Sequence, residues 1–195
     1  MASPVPVRVS FRPQGGGDLP TGGMRVDATR TLGPALAAEL DVEWGNTRRM
    51  LERVTDDVLE WRPHPKSWPL GQLATHLVDL PSWALLTLRA DLLDLASPEA
   101  ASMRPPIAHS VHELLERWAQ NTATARAAIA GASDEHLAQP WSLRSGTQIL
   151  LTQPRSAILR TMAINHGIHH RAQLGVYLRL RDIPVPGMYG PSADD

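Results

Sequence analysis

The chain has 195 residues, a formal net charge of −1 from 19 basic and 20 acidic side chains, eight histidines and no cysteine. That length suits one domain with a buried core, and the balanced charge argues against the basic stripe of a nucleic-acid binder. Without cysteine there is no disulfide framework, no CxxC motif and no thiolate nucleophile of the chain's own. No apolar run of about 18 residues predicts a membrane span.

Residues 1–30 are rich in Pro and Gly and lack the apolar core of a signal peptide. They read as a flexible leader before a single domain over residues 31–195, and a soluble cytoplasmic protein is expected. Ala and Leu are abundant in that domain, a composition suited to helices. A first helix is predicted from about Leu32 to Val54, because Leu36, Leu40, Trp44, Thr47 and Leu51 step by three or four residues. TDDVLEWRPHPKSW follows as a connection with at most a helical turn.

Ser67 fits an N-cap and Pro69 the first turn of a second helix, running to about Leu93. Leu73, His76, Leu77, Leu80 and Ala84 share one of its sides. Pro81 lies inside, where it removes a backbone hydrogen bond, so a kink or break is expected. ASPEAASMRPP is a loop. A third helix runs from His109 or Ser110 to Gly131, which fits a C-cap. SDEHLAQP is a short helical turn, and WSLRSGTQILL reads as a β-hairpin turning at Ser145-Gly146. The last helix follows Pro154 and runs to about Arg181, before the prolines of IPVPGMYGPSADD. Four amphipathic helices predict an all-α fold, a four-helix bundle with the small hairpin before its last helix. Bundles of this kind build metal and ligand sites in their interior. Trp44, Trp83 and Trp118 lie on helices and are expected in the core.

The last helix carries INHGIHHRAQL, with three histidines. Residues four apart on a helix lie about 40° apart around the axis and about 6 Å apart along it, so His166 and His170 can turn toward one metal ion. They also share a stripe with Ile158, Met162, Leu174 and Tyr177. His169 sits about 100° round from His170 and falls off that stripe. A lone HxxxH also fits hydrogen-bonded core histidines, but two neighbouring neutral imidazoles inside a bundle are hard to satisfy that way. A third ligand should come from another helix. His76, set among Leu73, Leu77 and Leu80, is the candidate, and its alternative is a core histidine bonded to a backbone carbonyl. Three histidine ligands leave a coordination position for water or substrate. His64, His109, His112 and His136 lie in loops or at polar helix ends and read as surface residues.

SWPLGQLATHL, NHGIHHRAQLGVYLR and IPVPGMYGPS together resemble the DinB/YfiT-like superfamily over about residues 32–192. The resemblance implies a four-helix bundle holding a divalent metal ion on three histidines, which fall on His76, His166 and His170; His169 matches no ligand position. It also implies a homodimer and a small-molecule substrate. Some members of the superfamily use low-molecular-weight thiols such as bacillithiol or mycothiol as S-transferases or isomerases, and others are assigned only as metal-dependent hydrolases. The expected activity is therefore transfer of a low-molecular-weight thiol to a small electrophile. The alternatives are metal-dependent hydrolysis, or a metal-binding stress protein without turnover. Zn, Ni, Fe and Cu all suit three imidazoles.

Around these ligands, Asp79 is placed to orient an imidazole or act as a base, or to be a surface charge. Asn165 is expected against a neighbouring helix, and Gln173 in a hydrogen bond inside the bundle. Arg171 is expected in an ion pair or holding the C-terminal tail, and Tyr189 to close the pocket if that tail folds back. Gly167 is expected to mark close packing against another helix.

Overall fold

The computed structural model describes residues 31–98, 100 and 105–194; the predicted leader lies outside them. Helix α1 spans Leu32–Leu51 and buries Leu36, Leu40, Trp44, Thr47 and Leu51, the predicted stripe. It stops before Val54 because Arg53 and Val54 donate to Met50 and Leu51 carbonyls in a tight turn. A 3-10 turn, Asp56–Val58, follows.

Helix α2, Leu70–Arg89, starts later than expected. Pro69 is extended, and no side chain caps the helix start, so Ser67 is not its N-cap. The helix passes through Pro81 unbroken. Nearby, the side-chain amide of Asn121 donates to the Val78 carbonyl at 3.0 Å. The predicted end at Leu93 is also corrected. Ala90 is extended, and Leu92–Asp94 form strand β1, paired in parallel with Ser142–Arg144. Buried Arg155 ends the helix: its Nη1 donates to the Thr87 and Ala90 carbonyls, and its Nη2 to Asp91. This satisfies carbonyls that every helix C-terminus leaves without an internal donor.

Helix α3 spans Val111–Ala130. Ser110 Oγ accepts from the Glu113 N–H at 3.2 Å, and the Glu113 carboxylate reaches back to the His109 N–H at 2.9 Å, close to a capping box. Gly131 is the C-cap, in right-handed geometry. The short helix α4, Asp134–Ala138, is capped by Ser133, and Asp134 accepts from the Leu32 N–H, tying it to the start of α1.

Strands β2, Pro140–Ser145, and β3, Gln148–Pro154, form the predicted hairpin. Its turn residues are Gly146 and Thr147, one position later than expected. Gly146 supplies the positive φ of 59°. Two strands alone are barely stable, but β1 makes this a three-stranded sheet in the order β1-β2-β3. A small core of Leu93, Trp141 and Ile158 seats it on the bundle, with Trp83 and Met162 packed around.

The last helix, α5, covers residues 155–179 in three segments: α-helical Arg155–Ile158, π-helical Leu159–Asn165 and α-helical His166–Arg179. The His166 N–H donates to the Thr161 carbonyl, five residues back. A straight α-helix would rotate a strict four-residue stripe by about 40° at every step. The wider π turn offsets that drift, so Ile158, Met162 and His166 stay on the inner side. Helices α1, α2, α3 and α5 close around one core, with Trp44 and Trp118 edge-to-face at 6.3 Å. The fold is thus a helical bundle with a small sheet at one end, and no described helix is long and apolar enough to cross a membrane.

Candidate metal centre

His76 projects from α2, and His166 and His170 from the stretch of α5 just after its π segment. All three are half-buried, and one ring nitrogen from each lies within 4.8 Å of the others. His76 Nε2 is 3.4 Å from His166 Nε2, which is 2.8 Å from His170 Nε2. Two nitrogens held about 2.05 Å from one ion at tetrahedral to right angles lie about 2.9–3.4 Å apart. The observed 3.4 and 2.8 Å lie at the edges of that range and are compatible with a shared ion.

Protonation agrees with this. Burial lowers the His76 pKa to about 4, with the neighbouring imidazoles of His170 and His166 adding to it. His166 is also lowered, first by burial and then by His170 and His169. Burial lowers His170, against an opposing hydrogen bond that it donates to Gln173. At neutral pH the cluster is uncharged, and its three Nε2 atoms turn toward each other with no acid among their hydrogen-bond partners in the described residues. Neutral imidazole offers one donor and one acceptor. With Gln173 Oε1 accepting from His170 Nδ1 at 2.7 Å, the His170 Nε2 lone pair is directed into the cluster. Such outer partners fix the tautomer of a metal-ligating histidine.

His169 is exposed, and among the described residues its ring contact is with the flank of His170, 4.9 Å between centroids. His64, His109 and His112 are exposed as expected. His136 is not a free surface residue: it is half-buried and its Nε2 lies 2.9 Å from the Leu88 carbonyl. Trp68, which the spacing of the sequence gave no reason to place, sits on the cluster. Its indole lies edge-on to His76 at 5.4 Å and roughly parallel to His170 at 6.1 Å. Its trace in the sequence was its place in the SWPLGQLATHL motif, eight residues before His76.

Of the other expected neighbours, Gln173 bonds to the cluster through His170, whereas Asp79 and Arg171 find their partners elsewhere. Asp79 is half-buried, and burial raises its pKa to about 6; its charged neighbour is Arg117 of α3. No hydrogen bond joins it to an imidazole among the described residues. Asn165 is exposed, not packed against a helix. Gln173 is exposed too, so its bond to His170 lies at the edge of the bundle. A Cβ on Gly167 would find its nearest atom at 3.9 Å, so close packing does not require glycine there. Arg171 does both things expected of it. It is 3% exposed and pairs with Glu43 at 2.7 Å. It also donates to the Glu43 carbonyl and to the Tyr189 hydroxyl of the folded-back tail.

Comparison with known proteins supports the fold and the family. A DinB-like protein from Bacillus cereus superposes with a TM-score of 0.63 at 24% identity, over 79% of this chain and 95% of its own. YfiT from Bacillus subtilis, described as a probable metal-dependent hydrolase with an unusual four-helix bundle topology, superposes at 0.58 with 15% identity, over 78% and 89% of the two chains. YrdA of Bacillus subtilis, an uncharacterized protein, is 29% identical over 153 residues, 76% of this chain and 83% of YrdA. The DinB superfamily model matches residues 39–174, which include His76, His166 and His170. With that match over most of its length, the chain belongs to the DinB superfamily.

Proposed function

We propose that His76, His166 and His170 hold a divalent metal ion and that the chain is a metal-dependent enzyme acting on a small molecule. The observation that carries this reading is the convergence of three neutral imidazoles with no acidic partner. An ion at such a site lowers the pKa of a water or thiol that binds it and so supplies a nucleophile near neutral pH. The chain's own contribution is to present three nitrogen lone pairs in fixed planes. Gln173 holds the His170 tautomer, and burial keeps protons off the ring nitrogens.

Transfer of a low-molecular-weight thiol to a small electrophile is the reaction we assign. The chain has no cysteine, so the thiol would come from a cosubstrate. Hydrolysis is the second reading, favoured by the description of YfiT. Zn, Ni and Fe are the metals proposed, and a homodimer is the assembly proposed. The test loads purified protein with each metal and screens thiols such as bacillithiol and mycothiol against a broad set of electrophiles. Metal-dependent conjugation is the expected result. Turnover confined to esters, amides or lactones would move the assignment to hydrolysis. Bound metal with no turnover in either screen would move it to a non-catalytic metal protein.

A further inference from the structure

The three imidazoles are half-buried, and α2 and α5 fix where each side chain begins but not how each ring is turned. One residue outside both helices touches two of the rings. Trp68 lies in the connection between the 3-10 turn and α2, two positions before that helix starts. Its indole stacks beside His170, 22° from parallel, and meets His76 nearly edge-on at 74°. His76 and His170 are themselves almost perpendicular, at 87°. A flat ring lying along one imidazole and across the other leaves little freedom for either plane to rotate.

The loop that carries Trp68 is built to hold still. The Leu70 N–H donates to the Trp61 carbonyl at 2.8 Å, and the Gly71 N–H to the Leu59 carbonyl at 2.8 Å. The Ser67 N–H donates to the His64 carbonyl at 2.9 Å. The His64 ring accepts from the Lys66 N–H at 3.1 Å. Gly71 lets the base of the loop close on Leu59, since a Cβ there would stand 3.1 Å from the Leu59 carbonyl oxygen. Yet Trp68, at the end of this scaffold, is 43% exposed. A large aromatic ring gains less from burial when so much of it stays in water. Among the described residues, its ring contacts are the two imidazoles, not the Trp44–Trp118 core.

We infer that Trp68 is a positioning residue of the three-histidine site, whose loop-held indole sets the ring planes of His76 and His170 for a shared ion. Gln173 fixes which nitrogen of His170 faces inward; Trp68 fixes the direction in which that nitrogen points. This rests on the metal reading given above and adds a residue that touches no ion.

The test is cobalt binding to the full chain, read by chelator competition and by the visible absorption band that reports coordination geometry. Trp68→Ala should weaken binding about 10–100-fold, the range found when residues orienting metal-ligating histidines are removed, and should change the band. Trp68→Phe keeps a flat ring and should restore affinity to within about threefold and the wild-type band. Where Trp68→Ala does not fold, Trp68→Leu takes its place, since leucine keeps bulk without a flat ring. Wild-type affinity and an unchanged band in the alanine or leucine variant would overturn the role of Trp68 while leaving the metal site intact. Failure of the wild-type protein to bind cobalt at these histidines would overturn both.

Discussion

His170 and Arg171 are consecutive residues on α5, and they open onto two polar clusters of opposite kind. Arg171 is surrounded by acceptors: the Glu43 carboxylate and carbonyl, Thr47 Oγ1 and the Tyr189 hydroxyl. Tyr189 also donates to Glu43 at 2.6 Å. Every strong donor there has an acceptor, and the cluster straps the C-terminal tail to α1. His170 is surrounded by its like. Two more imidazoles face it, and their mutual influence works against protonation. Buried polar groups that satisfy one another make structure. Bases gathered without an acid are what the proposed metal site requires. The contrast separates the two clusters more clearly than distance does, since both lie on the same turn of one helix.

The contrast breaks most visibly through metal content. His76→Ala or His170→Ala should lose most of the bound ion, measured by elemental analysis after dialysis, while His169→Ala keeps it. Equal loss in all three variants would dissolve the distinction between ligands and bystander. The Arg171 cluster should respond in stability instead. Arg171→Met leaves Glu43, whose side chain is 15% exposed, without its cation. Removing one partner of a buried pair costs about 3–5 kcal/mol. Denaturant unfolding should show that loss, and the folded fraction should still bind metal.

Acidity sharpens the comparison further. In the metal-free protein, His76 titrates near 4 when folded and near its ordinary 6.5 when unfolded. Between those values the unfolded chain binds more protons, so stability falls as pH drops through this window and levels off below it. Asp79 acts in the opposite sense. Its carboxyl titrates near 6 when folded against 3.8 unfolded, so it removes stability as pH rises through that range. The two partly offset in wild type. Asp79→Asn should therefore make stability climb more steeply between pH 4 and 6, followed by unfolding at stepped pH. An unchanged slope would show that burial does not hold the Asp79 proton. The smallest effect is at Gly167, where a Cβ would find its nearest neighbour, Leu80, at 3.9 Å. Gly167→Ala should raise stability by about 0.5–1 kcal/mol and leave metal content unchanged, because neither cluster needs a glycine there.

The geometry explains what could be read from the sequence. Four helices carry their apolar residues at helical spacing, and His76, His166 and His170 fall on those stripes, so periodicity alone pointed toward one interior. The family resemblance then joined the three. Strand β1 escaped because Leu92–Asp94 needs a parallel partner some fifty residues later, which local pattern does not show. The π segment escaped as well, although the unbroken four-residue step from Ile158 to His170 was its trace in the sequence. Trp68 belongs to a loop without period, and its contact with two helices is made only on folding. Gln173 was placed inside the bundle because it follows His170 by three residues. The structure keeps that spacing but puts the amide at the exposed edge.

The central claim is that one ion is shared by His76, His166 and His170. A metal-specific anomalous diffraction map of the native protein tests it directly. The account predicts a single peak about 2.0–2.2 Å from the Nε2 atoms of those three residues, with His169 outside the coordination sphere. A peak held by His169, His109 or His112, or no peak at the cluster in metal-loaded crystals, would contradict it.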